Sequence, residues 1–183
     1  MVNDIIEVYR RGGRLSRKAI LKVLRLTYKL LQKRPNTNAV TVTGQQKLIV
    51  VGDLHGQLSD LLHIIDESGQ GKIGDCIRLY MNSIVCTGLP NASNKYVFNG
   101  DFVDRGDHGL EIVIILFAMF ANSSDGGDTV FLNRGNHEDA AVCRVYGFEN
   151  EVGRMVSTVY CWDKSLLKYE QFVFVEIGKA KVR

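Results

Sequence analysis

No stretch of this sequence carries the ~20 consecutive apolar residues that a membrane-spanning helix needs. The longest apolar run, Ile112 to Ala121, falls well short and reads as a helix buried in a core. The first residues, Met1-Val2-Asn3-Asp4, start neither a signal peptide nor a myristoylation site. The cysteines Cys76, Cys86, Cys143 and Cys161 lack C-x-x-C spacing and form no disulfide framework, so a reducing cytosol or nucleus is the expected setting. Nucleic-acid motifs and an aromatic platform beside the basic residues are missing, so no nucleic-acid partner is expected. Histidine is scarce, and none follows His137. What remains is ordinary: 183 residues, 45% hydrophobic and 23% charged, fit a single globular domain.

Against this background three short segments stand out: Gly52-Asp53-Leu54-His55-Gly56, Gly100-Asp101-Phe102-Val103-Asp104-Arg105-Gly106 and Gly135-Asn136-His137-Glu138. Each follows a short apolar run: Leu48–Val51, Tyr96–Phe98 and Thr129–Leu132. Each pairs metal-seeking or acid–base side chains with glycines that allow tight turns beside an ion or phosphate. Three strand ends meeting at one sheet edge can pool such ligands around a metal pair. An isolated Asp before Gly is usually a turn residue. His63 and His108, standing alone, read as ordinary hydrogen-bonded residues. The joint pattern of the three segments reverses that reading.

The residue types suit binuclear phosphoester chemistry. Asp53 and His55 are two apart, so in an extended segment both can point to one side and give one ion an oxygen and a nitrogen ligand. Asp101 can bridge two ions through its two carboxylate oxygens, and Asn136 can offer a neutral oxygen to the second. Such ligands suit Mn, Fe or Zn. His137 is left for proton delivery to a leaving oxygen, Asp104 to fix its tautomer and Arg105 to grip phosphate.

These segments resemble the phosphoprotein phosphatase family, the metal-dependent serine/threonine phosphatases. Its signatures GDxHG, GDxVDRG and GNHE all stand here without substitution. The resemblance covers roughly residues 15 to 160. Tyr96-Val97-Phe98-Asn99, Leu132-Asn133-Arg134, Asp139 and Tyr146-Gly147-Phe148 look most like the EF-hand-bearing, retinal-degeneration-C branch. The resemblance implies an α/β fold, the calcineurin-like metallophosphoesterase sandwich with flanking helices. It implies that Asp53, His55 and Asp101 hold one divalent ion, Asp101 and Asn136 a second, with His137 and Asp104 as the acid pair and Arg105 on phosphate. A phosphoserine or phosphothreonine protein is the implied substrate.

Two departures qualify that picture. About eighteen residues, roughly 70–87, intervene between the helix expected at Leu58–Ser68 and Gly88-Leu89-Pro90-Asn91. They read as an insertion, with a retained intron as the favoured origin. Asp66-x-Ser68-x-Gln70-Gly71 imitates the start of an EF-hand loop, but Ile77 stands where a bidentate Glu should close it, so no EF-hand is expected. At the other end, the family draws two further histidines for the second ion from its later half, and none is present. The fold is therefore expected to be incomplete and the second metal site unfinished. A competing reading takes the chain as a truncated, inactive fragment or binding module from an erroneous gene model. Another metallophosphoesterase, such as a dinucleoside-polyphosphate hydrolase, is a third.

Charge is uneven. Residues 1–52 hold eleven Lys or Arg against two acidic residues, net +9, which leaves −6 for the rest. Residues 1–13 are expected as a tail and 14–183 as the partial catalytic domain, opened by a basic amphipathic helix over 14–34. There Ile20, Val23, Leu24, Leu30 and Leu31 recur at helical spacing until Pro35. That helix either packs its apolar stripe on the domain or serves as a docking site for calmodulin or another acidic partner.

Overall fold

The computed structural model describes residues 1–44, 46–66, 88–123 and 129–154, and the backbone of 155–156 and 172–176. The expected insert, the EF-hand imitation beyond Asp66 and the basic end 178–183 lie outside the described residues.

Three parallel strands carry the motifs. β2 (Lys47–Val51), β3 (Asn94–Phe98) and β4 (Val130–Leu132) lie side by side with β3 central, Ile49 opposite Tyr96 and Tyr96 opposite Val130. Alternation puts Ile49, Val51, Tyr96, Phe98, Val130 and Leu132 on one buried face. Val50 on the opposite face is 48% exposed. Parallel order sends every strand's C-terminal end, and hence all three motifs, to one edge. β1 (Thr37–Thr41) pairs separately and in parallel with β5 (Phe172–Glu176).

Helices fill the connections: α3 (Leu58–Ile65) after the first motif, α4 (Gly109–Asn122) after the second, α5 (Ala140–Tyr146) and α6 (Phe148–Val156) after the third. α4 is apolar on all sides and accordingly buried, as the run Ile112–Ala121 implied. It packs against α1 (Val2–Arg10), α2 (Arg17–Leu31), α3, α6 and β4.

Residues 1–13 are not a tail. Val2, Ile5, Ile6 and Tyr9 recur at helical spacing and are buried where α1 meets α4. The Gly12-Gly13 turn, with Gly12 at φ +68°, ends the helix. α2 starts at a Ser16 cap, whose hydroxyl accepts the Ala19 N–H, inside the expected 14–34 window. Its stripe Ile20, Val23, Leu24, Thr27 and Leu31 is buried, and the Thr27 hydroxyl donates to the Phe117 carbonyl of α4. Of the two readings of this helix, packing on the domain matches its apolar face. Among the described residues no helix is long and apolar enough to cross a membrane.

Candidate metal centre

Hydrogen bonds between main chains knit the first two strand-end loops, and the Asp101 and Glu138 carboxylates tie in the third. The Leu54 and His55 N–H groups both donate to the Asp101 carbonyl, at 3.0 and 2.9 Å, and Gly56 N–H donates to Phe102 O at 2.9 Å. Contact this close requires glycine: a Cβ on Gly56 would lie 2.6 Å from the Gly106 carbonyl carbon, and one on Gly100 would strike the Gly135 nitrogen. The non-glycine residues with left-handed backbone among the described ones are His55, Asp101, Asp104 and Arg105, with φ from 40° to 66°. All four were expected in the site. Such backbone is costly for side chains with a Cβ and persists where surrounding contacts enforce it.

Asp53, His55 and Asp101 come together as the sequence implied. One ligand atom from each lies within 4.8 Å of the others, the single such His/Cys/Asp/Glu group among the described residues. His55 Nδ1–H donates to the Val103 carbonyl at 3.0 Å, which fixes the tautomer and leaves Nε2, 3.8 Å from Asp53 Oδ2, as the free lone pair. Two carboxylates and an imidazole aimed at one point fit a divalent cation. Asp101 Oδ1 accepts the His137 N–H at 2.9 Å. Asn136 stands exposed between Gly135 and His137, whose main chains both abut Asp101.

His137 and Asp104 form a buried pair, Nδ1 to Oδ2 at 2.9 Å, with side chains 4% and 0% exposed. Nδ1–H donates to the carboxylate. Nε2 accepts from Arg105 Nη2 at 3.4 Å, since a guanidinium can only donate. The ring meets His55 edge-on at 4.7 Å and Tyr146 at 5.0 Å. Asp104 Oδ1 accepts the Phe148 N–H at 3.2 Å, so both its oxygens are engaged.

Sequence reasoning missed Glu138 as a site residue. Its carboxylate accepts three main-chain N–H groups: Asp101 and Phe102 at 2.7 Å, and Gly135 at 2.8 Å. It ties the second loop to the third and helps hold Asp101 in its left-handed turn. Burial pushes its carboxyl above the usual range and the Asp101 charge adds to this, while the three donors pull it back. The local signal was a carboxylate beside two glycine turns, whose amides need acceptors. Cys143 plays a supporting part: its buried thiol donates to the His137 carbonyl at 3.1 Å, and burial raises its pKa to about 12.

Comparison with known proteins fits this geometry. The profile of the calcineurin-like phosphoesterase family matches residues 46–181. The chain belongs to that family. It is 41% identical over 153 residues to the serine/threonine-protein phosphatase rdgC of Drosophila melanogaster, covering 82% of this chain and 20% of that one. It is 38% identical over 170 residues to human serine/threonine-protein phosphatase with EF-hands 2, covering 86% and 20%. A solved Saccharomyces cerevisiae serine/threonine phosphatase, described as similar to human PP5, superposes with a TM-score of 0.70 at 25% identity over 92% of this chain and 48% of its own. The chain thus spans about a fifth of the length of these curated relatives. Membership in the family implies divalent metal ions, and Asp53, His55 and Asp101 are a donor set that fits one.

Proposed function

We propose that this chain contributes the metal-binding and acid–base loops of a protein serine/threonine phosphatase, which hydrolyses phosphomonoesters of phosphoserine and phosphothreonine. The observation that carries the reading is the meeting of the Asp53–His55–Asp101 group with the buried His137–Asp104 pair and Arg105 at one sheet edge. Asp53, His55 and Asp101 would hold one ion of the Mn, Fe or Zn class, and Asp101 with Asn136 would serve a second. Such ions supply Lewis acidity toward phosphoryl oxygens and acidify water. Arg105, which is exposed, takes phosphate oxygens through its planar fork. As it turns to phosphate it leaves the His137 Nε2 lone pair free to take up a proton from solvent and pass that proton to the departing serine oxygen. Asp104 holds Nδ1–H throughout and stabilises the imidazolium.

The basic face of residues 14–34 supports docking of an acidic partner, since Arg14, Lys18, Lys22, Arg25 and Lys29 are exposed. A calmodulin-type embrace is the less supported form, because it would need the stripe now buried on α4. A reducing cytosolic or nuclear setting suits the free, buried Cys143 thiol.

The test is a substrate panel on the full chain with added Mn²⁺, comparing phosphoserine peptides with dinucleoside polyphosphates. Metal-dependent release of phosphate from the peptides, abolished in His137→Ala, is the expected result. Preference for dinucleoside polyphosphates would move the chain to another branch of the family. Calorimetric metal affinity unchanged in Asp101→Asn would overturn the ligand assignment.

A further inference from the structure

α4 opens without a side-chain cap of its own: His108 stands at its N-cap, and its side chain bonds no helix amide. The first N–H groups of a helix need acceptors. Here one is supplied by a different helix. Glu151, in the first turn of α6, accepts the Leu110 N–H at 2.7 Å. Its other oxygen covers Gly109, where a Cβ would stand 3.1 Å from that oxygen and 3.0 Å from the Phe148 ring. Three residues earlier on α6, the Phe148 N–H donates to Asp104 Oδ1. The loop running from Asp104 through Arg105 to Gly109 is therefore gripped at both ends by the start of α6. Within it, Asp104 and Arg105 hold left-handed backbone.

We propose that Glu151 is a positioning residue for the His137–Asp104 pair and Arg105. By closing the N-terminus of α4 it fixes the far end of the loop whose near end Phe148 holds. A carboxylate at a helix N-terminus is favoured by the helix dipole as well as by the hydrogen bond. Removing it would leave the Leu110 amide unpaired and free α4's first turn to fray, and the fraying would reach Asp104 through the intervening residues.

The charge state of this clamp changes near neutrality. Burial pushes the Glu151 carboxyl up to about 7; the Leu110 N–H opposes this, Glu111 adds to it, His108 opposes and Asp104 adds. Glu111 in turn faces Tyr9 of α1, whose phenol is raised by burial and by that carboxylate. Glu111 Oε2 is buried without a hydrogen-bond partner, so it cannot take over the role of Glu151 without moving.

The role rests on the acid-pair reading of His137 and Asp104, and the test separates the two by avoiding turnover. Isotope-labelled full chain is compared with Glu151→Gln, Glu151→Ala and the control Glu149→Ala. The readouts are exchange of the Leu110 amide, the His137 Nδ1 proton signal and the pH dependence of the Leu110 and Arg105 amide shifts. In Glu151→Ala, Leu110 exchange should rise roughly tenfold or more, from loss of a charge-assisted bond, and the Nδ1 signal should broaden. Glu151→Gln, which keeps a carbonyl acceptor, should restore the Nδ1 signal while abolishing a shift titration centred near 7. Glu149→Ala, which loses a contact with Arg144 and none with the 104–109 loop among the described residues, should match the parent. A folded Glu151→Ala with parental exchange and Nδ1 signal would overturn the proposal. Should that variant not fold, a Glu151→Gln chain that keeps Leu110 protected yet loses the Nδ1 signal would overturn it instead. If the positioning holds but phosphopeptides are not hydrolysed, the assigned activity fails and the clamp stands.

Discussion

α4 meets two regions built on opposite principles, one at its N-terminus and one along its flank. At its N-terminus the strand-end loops are held by main-chain hydrogen bonds and a few buried carboxylates, with left-handed turns at His55, Asp101, Asp104 and Arg105. Along its flank the helical layer of α1 and α2 is held by apolar burial of Val2, Ile5, Ile6, Ile20, Val23, Leu24 and Leu31, with the Thr27 hydroxyl on Phe117 O as a polar tie. The loops fix their donors through close main-chain contacts at the cost of left-handed backbone. The helices add stability and accept imprecision. Function and stability are therefore separable by mutation in this chain.

The largest effect expected is on stability alone. Leu24→Ala should cost about 2–5 kcal/mol of unfolding free energy through lost burial and a residual cavity. Metal affinity of the folded fraction should stay as it was. Urea titration and calorimetry on the same sample check both halves. A parallel fall in affinity would erase the distinction between the regions. Glu138→Ala tests the other side. It strips the charged acceptor from three amides, costing about 1.5–3 kcal/mol on the scale of bonds to charged groups. Because it releases Asp101 from its turn, metal affinity should fall further than stability predicts. Affinity unchanged at equal folded fraction would reduce Glu138 to a structural strut.

The difference also explains what the sequence disclosed. Strands and motif loops were legible because their signals are local: an apolar run, then Gly-Asp or Gly-Asn within a few residues. The end of α1 as a supposed tail was a misreading with a physical cause. A nine-residue helix is marginal alone, and α1 exists because α4, about a hundred residues later, covers Val2, Ile5, Ile6 and Tyr9. The spacing of those four was visible, but their partner was not. Glu138 was half hidden, since Gly135 is close in sequence but its other two donors come from residues 101 and 102. The left-handed turns at Asp101 and Asp104 were signalled only weakly, because Asp is enriched in such backbone yet most Asp residues do not adopt it.

A pH experiment sharpens the comparison at smaller amplitude. The Glu151 carboxyl rises in the folded state to about 7 from its ordinary value of 4.5. The folded chain therefore binds its proton more tightly than the unfolded chain. That contribution to stability is fully present below about 4.5 and is lost as pH rises through about 7. Urea midpoints should accordingly decline between these values, and Glu151→Gln should flatten the decline. An equal slope in the variant would assign the titration to another group.

The smallest effects belong to the solvent face of α2. Lys22 and Lys29 are exposed and make no ion pair among the described residues, so Lys22→Ala and Lys29→Ala should each change stability by less than about 0.5 kcal/mol. Metal affinity should not move, since both residues lie across α2 from the stripe that meets α4. What should change is attraction for an acidic peptide, weakened in the double variant and more so at low ionic strength, where the Debye length is longest. Binding measured by fluorescence anisotropy at two salt concentrations decides it. If the double variant binds as well as the parent at low salt, the basic face is a solvated surface and the acidic-partner reading fails, while the apolar face keeps its structural part on α4.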